Sequence, residues 1–139
     1  MKLKCVIVDD EALAQSILQR YIKPLQELEL VAVCKNAIEA NSILQQQQID
    51  LLFLDIEMPH ISGLNFLKSI ASRKPKVIIT TAYREHALTA FDFDVVDYML
   101  KPISYERFVK GVNKVLRLHN LEELASLSET KDDHEAYIY

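Results

Sequence analysis

The sequence has no long apolar run and no surplus of basic residues. No run approaches the roughly 18 consecutive apolar residues that span a membrane, and no basic segment followed by an apolar one opens the chain as a signal peptide would. We therefore expect a cytoplasmic protein that does not bind a membrane. Sixteen basic against twenty acidic residues give a net charge of −4, so the chain lacks the basic surplus typical of nucleic-acid-binding proteins.

Cysteines are also scarce. The chain has two, Cys5 and Cys34, and both lie in apolar, strand-like runs. This placement favours buried free thiols over a disulfide or a metal-binding pair, so neither residue is a candidate for a functional site. At 139 residues, half of them apolar, the chain is long enough for one domain with a substantial core.

Five short apolar runs rich in β-branched residues alternate with segments of helical periodicity. None of the runs shows clean polar alternation, which is typical of strands covered on both faces of a parallel sheet. Because strands and helices alternate five times with short connections, we predict an α/β fold, a doubly wound parallel sheet of five strands with five helices. The predicted strands are residues 5–8, 30–34, 51–54, 76–80 and 95–100.

The helices are predicted from apolar residues three or four positions apart and from capping residues. The positions used are Leu13, Ile17, Tyr21 and Leu25 in the first helix, the cap Asn36 of the second, Gly63 before the third, Ala87, Ala90 and Phe91 in a weaker fourth, and the cap Ser104 of the fifth.

Acidic and basic side chains follow the predicted strands. The carboxyl ends of parallel strands meet at one edge of a sheet, where such folds gather their functional groups. Three carboxylates beside one ammonium suit Mg²⁺, and the ammonium can then bind an anion such as phosphate. A lone aspartate at a strand end is more often a cap, but the whole group indicates a metal and phosphate site. The group is Asp9, Asp10, Asp55, Thr81 and Lys101.

Four motifs at these strand ends, in order and at the expected spacings, resemble the receiver domain of two-component response regulators. They are "VDDE" after the first strand, "DIEMPHISG" after the third, "TTA" after the fourth and "YMLKP" after the fifth. The resemblance covers residues 2–118 and implies the flavodoxin-like receiver fold, with strand order 2-1-3-4-5. The segment "AFDFDVVDYMLKPIS" further resembles receivers of the LytR/AlgR type, whose output module is usually a LytTR DNA-binding domain.

The resemblance implies that the protein accepts a phosphoryl group from a sensor histidine kinase and is not a turnover enzyme. Asp55 would be the phosphoacceptor. Asp10 and Asp55 would bind Mg²⁺ directly, together with the backbone carbonyl of Glu57, while Asp9 would bind it through water. The side chain of Glu57 adds a fourth acid near the metal, and the sequence leaves open whether this slows or speeds hydrolysis of the phosphoaspartate.

The resemblance also assigns groups to the phosphoryl oxygens. Lys101 would pair with them, Thr81 would hydrogen-bond one, and the amide of Ala82 would be a further donor. Tyr98 occupies the position of an aromatic residue that follows the movement of Thr81, although a strand tyrosine is as often simply half-buried. The Lys101–Pro102 bond is expected to be cis.

The C-terminal segment is predicted to lie outside the receiver. We place the receiver at residues 1–118, and a helix extension and linker at 119–139, since apolar spacing persists through Leu121 and Leu124 before the charged "SLSETKDDHE". The final "AYIY" resembles the start of a strand. We expect a receiver cut from a longer protein, which would bind DNA only through an output domain that this chain does not include.

Phosphorylation is expected to promote a homodimer through the surface made by the fourth helix, fifth strand and fifth helix. Movement of Thr81 toward a phosphoryl group would let Tyr98 turn and change this surface. Opposite charges suit it to a two-fold contact. They are Arg107, Lys110, Lys114 and Arg117 against Asp92, Asp94 and Asp97.

Two other function classes compete with the receiver. A Mg²⁺-dependent phosphatase with an aspartyl nucleophile would carry a D-x-D-like pair after its first strand, which "DDEAL" does not supply. A phosphate-independent interaction module would be expected to lack one of Asp10, Asp55, Thr81 and Lys101, and all four are present.

Overall fold

Five parallel strands form one sheet in the order β2-β1-β3-β4-β5, which confirms the predicted topology. The computed structural model describes residues 2–58, 61–70, 75–84 and 94–138, with side chains through residue 128. The strands are β1 (Leu3–Val8), β2 (Leu28–Cys34), β3 (Leu51–Asp55), β4 (Lys76–Thr81) and β5 (Asp97–Leu100). The helices in these ranges are α1 (Ala12–Ile22), α2 (Ala37–Gln46), α3 (Gly63–Ile70) and α4 (Tyr105–Ile138). The helix predicted at residues 87–91 lies outside the described residues.

Helices cover both faces of the sheet. Along β3, Leu52 and Leu54 pack in the core that contains α2 and α3, whereas Leu51 and Phe53 pack in the core that contains α1 and α4. Successive strand residues point to opposite faces, so a strand segment with a core on each side is apolar at consecutive positions, as Leu51–Leu54 of β3 are. This explains the absence of polar alternation in the sequence. Cys5 and Cys34 are buried free thiols, as predicted.

The predicted capping residues begin two of the helices. The side chain of Asn36 accepts a hydrogen bond from the N–H of Glu39 at 2.9 Å, and Oγ of Ser104 accepts one from the N–H of Arg107 at 3.1 Å. Gly63 begins α3 directly against the end of β3, where a Cβ atom would lie 2.5 Å from the carbonyl oxygen of Asp55. Only glycine allows this approach, which fixes the backbone that carries Asp55.

Helix α1 buries only part of the apolar stripe that the sequence predicts. Leu18 and Ile22 are buried in the core, but Leu13 is 73% exposed. Farther along, the hydroxyl of Tyr21 donates to the carbonyl oxygen of Ile103 at 2.8 Å. This bond ties α1 to the segment between β5 and α4, on the side of the functional edge.

Helix α4 is longer than predicted. It continues as one helix of 34 residues to Ile138, through the segments for which the sequence analysis predicted a linker and the start of a strand. Residues 112–138 contain no glycine or proline and are rich in leucine and glutamate, so helix propensity outweighs the charged composition here. An ion pair of 2.7 Å between Lys76 and Glu122 holds α4 against the start of β4.

None of the helices within the described ranges has the length and apolar character needed to cross a membrane.

Candidate functional site

Three strands bring charged side chains to one point at the carboxyl edge of the sheet. Asp9 follows β1, Asp55 ends β3 and Lys101 follows β5. The backbone N–H of Lys101 donates to the carbonyl oxygen of Thr81 at 2.7 Å, which fixes the lysine beside the end of β4. Its ammonium nitrogen lies 2.9 Å from Oδ2 of Asp9 and 3.3 Å from Oδ2 of Asp55. The structure thus brings together three residues of the predicted group, Asp9, Asp55 and Lys101.

Glu11 belongs to this group although the sequence analysis gave it no role. Its Oε1 lies 2.7 Å from Nζ of Lys101. The carboxylate oxygens of Asp9, Glu11 and Asp55 lie within 4.8 Å of one another. The signal in the sequence was Glu11 itself, which is the third acid of "VDDE" and directly precedes α1. Asp10, the predicted direct metal ligand, is exposed and is not one of these three carboxylates.

Backbone donors hold the two buried carboxylates in place. The N–H of Glu11 donates to Oδ1 of Asp9 at 2.9 Å, and the N–H of Glu57 donates to Oδ1 of Asp55 at 3.1 Å. Asp9 is fully buried and Asp55 is 2% exposed. In both residues Oδ1 is therefore engaged by the backbone, and Oδ2 is left facing Lys101.

Burial raises the pKa of Asp55 to about 7, and the nearby charge of Asp9 adds to the rise. The charge of Lys101 and the N–H of Glu57 act in the opposite direction. Burial alone would lower the pKa of Lys101, but its bonds to Glu11 and Asp9 and the charge of Asp55 hold that pKa above its ordinary value. Lys101 therefore remains an ammonium, while Asp55 needs further positive charge to be fully ionised at neutral pH. The Lys101–Pro102 bond is cis, as the resemblance implied.

The residues present fit a hard divalent cation such as Mg²⁺. Three carboxylates face one ammonium, so the cluster carries excess negative charge on oxygen atoms, which are the ligands that Mg²⁺ prefers. Oδ2 of Asp9 is buried and, among the described residues, makes no hydrogen bond of regular geometry even though Lys101 is 2.9 Å away. Such an oxygen is satisfied by a cation or an ordered water molecule.

A chain of hydrogen bonds leads from Thr81 to Tyr98. Thr81 is buried at the end of β4, and its Oγ1 accepts a hydrogen bond from the N–H of Tyr83 at 3.1 Å. The carbonyl oxygen of Tyr83 accepts one from the hydroxyl of Tyr98 on β5. The two predicted switch residues are therefore connected through the backbone of Tyr83, a residue that the sequence analysis did not single out.

The charges predicted for a contact between subunits are partly used within the chain. Arg107 binds the buried carboxylate of Asp97 with two nitrogens, at 2.8 and 2.7 Å, and Lys114 lies 3.4 Å from the same carboxylate. Burial alone would raise the pKa of Asp97, but the bonds from Arg107 and from the N–H of Tyr98 hold it below its ordinary value. Three of the charges predicted for an inter-subunit contact thus pair inside one molecule, and the contact itself stays a prediction; Asp92 lies outside the described residues.

A groove of about 280 Å³ adjoins the acidic site. Its walls include apolar side chains of α1 and of the segment after β5, and Asp9, Glu11 and Lys101 also line it. The apolar lining includes Leu13, Ala14, Ile17, Pro102 and Ile103. The groove explains the position of the exposed Leu13, which forms part of its rim rather than of the core.

The fold and the site together define a receiver of the response-regulator class. The family model described as "Response regulator receiver domain" matches residues 5–113. The chain belongs to this family, a family of signalling domains.

Curated relatives agree with this assignment. The chain is 35% identical over 132 residues to an uncharacterized response regulatory protein of Vibrio cholerae, covering 94% of this chain and 56% of that protein. It is 34% identical over 130 residues to the transcriptional regulatory protein BtsR of Escherichia coli K12, covering 93% of this chain and 54% of BtsR. The chain thus spans about half the length of the curated relatives it matches.

Solved structures of receivers have the same fold. The response regulatory domain of mrkE from Klebsiella pneumoniae superimposes with a TM-score of 0.76 at 32% identity, covering 88% of this chain and 99% of that chain. The response regulator TrrA from Thermotoga maritima, solved in complex with Mg²⁺-BeF, gives a TM-score of 0.72 at 29% identity, covering 83% and 99%.

Proposed function

We propose that this receiver accepts a phosphoryl group on Asp55 from a phosphohistidine of a sensor histidine kinase, in the cytoplasm, and thereby switches an output. The observation that carries the proposal is the buried carboxylate of Asp55, 3.3 Å from the ammonium of Lys101 and within 4.8 Å of two further acids. A buried acid at such a site is either a structural ion pair or a reactive group. The excess of acids over cations, together with membership of the receiver family, favours the reactive group.

The transfer exchanges one bond to phosphorus for another. A carboxylate oxygen of Asp55 attacks the phosphorus atom, the phosphorus–nitrogen bond breaks, and the imidazole leaves with a proton. An acyl phosphate remains on Asp55 until water attacks the phosphorus, which releases inorganic phosphate and restores the carboxylate. The phosphorylated protein is the signal, so the receiver acts as a switch and not as a turnover enzyme.

Mg²⁺ is the proposed cofactor, and when bound it neutralises charge on the phosphoryl group and keeps the acids ionised. We assign Asp10, Asp55 and the backbone carbonyl of Glu57 as direct ligands, with Asp9 acting through water. The support from the structure is the acidic cluster of Asp9, Glu11 and Asp55, and the similar protein TrrA was solved with Mg²⁺-BeF.

Lys101 and Thr81 are the proposed ligands of the phosphoryl group. Lys101 lies on the Oδ2 side of Asp55, the oxygen that the backbone leaves free, and its raised pKa keeps it positively charged. Thr81 ends β4, the strand beside β3, and it directly follows Thr80, which pairs in register with Asp55. A phosphoryl group on Oδ2 would thus lie near the ammonium of Lys101 and the hydroxyl of Thr81, and both groups can donate hydrogen bonds to phosphate oxygens.

The groove beside the site is the proposed docking surface for the kinase. Leu13, Ile17 and Ile103 offer an apolar wall next to the acids, so a helix that presents a phosphohistidine could pack there while its phosphoryl group reaches Asp55. The proposal is supported by the exposure of Leu13, which contributes little to the core of the receiver itself.

The proposed output is a LytTR DNA-binding domain that regulates transcription. Its support is the resemblance of "AFDFDVVDYMLKPIS" to LytR/AlgR receivers and the name of the similar protein BtsR, a transcriptional regulatory protein. The chain covers 54% of BtsR, which leaves room in such a protein for a further domain. DNA would then be bound outside the residues of this chain.

Dimerisation on phosphorylation is the proposed route to that output, through the surface that contains β5 and α4. Asp97, Arg107 and Lys114 would have to exchange internal partners to take part in the contact, whereas the exposed Lys110, Arg117 and Asp94 are further candidate charges. Sedimentation with and without beryllofluoride, a mimic of the bound phosphoryl group, tests this route. A chain that stays monomeric at high concentration with the mimic bound would contradict it.

Incubation with acetyl phosphate and Mg²⁺, followed by intact mass measurement, tests the proposed function. We expect one phosphoryl group per chain and none after chelation of the metal. A chain that gains no phosphoryl group under saturating donor and Mg²⁺ would contradict the proposal.

A further inference from the structure

The ammonium of Lys101 lies against three carboxylates and donates hydrogen bonds to two of them, Glu11 and Asp55. Oε1 of Glu11 is nearest at 2.7 Å, followed by Oδ2 of Asp9 at 2.9 Å and Oδ2 of Asp55 at 3.3 Å. An ammonium has three donors and no acceptor, and two of them are used by Glu11 and Asp55 while Asp9 lies at ion-pair distance. A phosphoryl oxygen on Asp55 therefore competes with these carboxylates for Lys101.

Glu11 is the partner that can give way. Its side chain is 60% exposed, whereas the side chains of Asp9 and Asp55 are 1% and 3% exposed. An ion pair with an exposed carboxylate is weak and exchanges with water readily. The two buried carboxylates cannot turn to solvent in the same way, because backbone donors hold each of them by Oδ1.

The position of Glu11 in the chain is suited to this contact. It precedes α1 at the N-cap, but its side chain makes no capping hydrogen bond to the helix. Its backbone N–H is instead fixed by Oδ1 of Asp9 at 2.9 Å, which directs the side chain across the site toward Lys101. A glutamate is long enough to bridge this gap from the N-cap.

We propose that Glu11 is a positioning residue that holds Lys101 in the unphosphorylated receiver and must be displaced when a phosphoryl group arrives. The inference rests on the proposed function, since it concerns the same lysine and acceptor. Glu11 thereby opposes binding of the phosphoryl group but not binding of the metal. It competes with the phosphoryl group for Lys101, and it is not among the direct metal ligands assigned above, which are Asp10, Asp55 and the carbonyl of Glu57.

Two substitutions separate this role from a general effect of charge. Glu11→Gln removes the charge, and Glu11→Asp keeps the charge but shortens the side chain by one methylene group, so that it no longer reaches Lys101. Glu106→Gln is the matched control, since Glu106 is an exposed glutamate on the first turn of α4 and Lys101 pairs, within the described residues, with Asp9, Glu11 and Asp55.

The experiment measures, for each variant, the affinity for Mg²⁺ alone and the affinity for beryllofluoride at saturating Mg²⁺. Both Glu11 variants are expected to bind beryllofluoride about two- to five-fold more tightly than wild type, the range for loss of a partly exposed ion pair. Glu11→Asp is expected to leave the Mg²⁺ affinity within about two-fold of wild type, and Glu106→Gln is expected to match wild type in both titrations.

Three results would overturn the inference. A loss of Mg²⁺ affinity of about ten-fold or more in Glu11→Asp would make Glu11 a metal ligand. Beryllofluoride affinity that changes in Glu11→Gln but not in Glu11→Asp would reduce its role to an effect of charge. Unchanged affinity in both variants would mean that the pair with Lys101 has no influence. If wild type itself bound no beryllofluoride, the proposed function would fail first.

Discussion

The hydroxyl group of Tyr98 donates a hydrogen bond to the backbone carbonyl oxygen of Tyr83, two residues after Thr81. The N–H of Tyr83 donates in turn to Oγ1 of Thr81 at 3.1 Å. A threonine hydroxyl can donate one bond and accept two, so Thr81 can bind a phosphoryl oxygen without releasing Tyr83. A movement of Thr81 toward Asp55 would therefore pull the backbone of Tyr83 and, with it, the ring of Tyr98.

Substitution of Thr81 by valine should weaken binding of the phosphoryl mimic and disconnect Tyr98 from the site. Thr81→Val removes both the donor to the mimic and the acceptor for Tyr83, and loss of a hydrogen bond to a charged group corresponds to about a ten-fold weaker affinity. Beryllofluoride titration followed by NMR of the Tyr98 ring measures both effects. Wild type should show a shift of the Tyr98 resonances, and Thr81→Val at saturation should not.

Thr80→Val is the control for this prediction. Thr80 is the preceding residue on β4, and its buried hydroxyl has no hydrogen-bond partner among the described residues. Its replacement should leave the Tyr98 shift intact. Equal behaviour of the Thr80 and Thr81 variants would show that the effect arises from packing in β4 and not from the hydrogen-bonded chain.

Removal of the Arg107 side chain should destabilise the receiver itself. Within the described residues, Arg107→Ala leaves the buried carboxylate of Asp97 with Lys114 at 3.4 Å as its remaining cation. We expect a loss of about 1–3 kcal/mol in the free energy of unfolding. Lys110→Ala, an exposed substitution on the same helix, should change stability by less than about 0.5 kcal/mol. Urea denaturation of the two variants and wild type makes the comparison.

The destabilisation by Arg107→Ala should also depend on pH. The folded-state pKa of Asp97 is held below its ordinary value of 3.8, so the pair contributes stability above that pH and loses it as the pH falls through the folded-state pKa. The difference between wild type and Arg107→Ala should therefore be largest near neutral pH and shrink in acid. A difference that grows in acid would contradict an ionised Asp97 in the folded state.

Asp55 should destabilise the metal-free protein above neutral pH. Its folded-state pKa of about 7 exceeds the ordinary value of 3.8, so the folded state retains a proton that the unfolded chain releases between these values. Stability then falls as the pH rises through this window, and the whole penalty is present above it. In the presence of a chelator, Asp55→Asn should be more stable than wild type by roughly 1–3 kcal/mol at about pH 8.

The advantage of Asp55→Asn should shrink as the pH falls from about 7 and disappear below 3.8, because Asp55 of wild type is then protonated in both states. Mg²⁺ should stabilise wild type more than the variant, since the metal offsets the charge of the ionised acid. Thermal unfolding over this pH range, with and without Mg²⁺, provides the data. An Asn variant that is less stable than wild type at every pH would show that the carboxylate is stabilised by Lys101 and not destabilised by burial.

Asp10→Asn should weaken Mg²⁺ binding by about ten-fold or more while leaving the acceptor intact, because it removes a proposed direct ligand. Asp94→Asn is the matched control, an exposed aspartate whose φ of 56° asparagine also accepts. Titration with Mg²⁺ compares the two variants. An unchanged affinity in Asp10→Asn would move the direct ligand to Asp9 or Glu11, whose carboxylates are close to Asp55 in the structure.

The sheet and the helix starts were predictable because local patterns determine them. The strand residues that pack in the two cores are apolar. The capping residues Asn36 and Ser104 each accept a hydrogen bond from the N–H of the residue three positions later. The convergence of Asp9, Asp55 and Lys101 followed from topology alone, since parallel strands end at one edge.

Contacts between side chains from distant elements were not predictable in the same way. The pair of Glu11 with Lys101 joins residues 90 positions apart and depends on the direction of one exposed side chain. The internal pairing of Asp97 with Arg107 depends on how α4 lies over β5, where Gly111 leaves space for Met99 and the carboxylate of Asp97. A list of charges on a predicted surface cannot separate pairing within a molecule from pairing between two molecules.

The measurement that tests the central claim most directly locates the phosphoryl group. Wild type and Asp55→Asn are incubated with acetyl phosphate and Mg²⁺, and borohydride then reduces any acyl phosphate to an alcohol, which converts the modified aspartate to homoserine. Peptide mass mapping should find homoserine at position 55 of wild type, and no reduced residue in Asp55→Asn or in wild type treated with a chelator. A reduced residue at Asp9 or Asp10 of wild type, or phosphorylation of Asp55→Asn to the same extent, would contradict Asp55 as the acceptor.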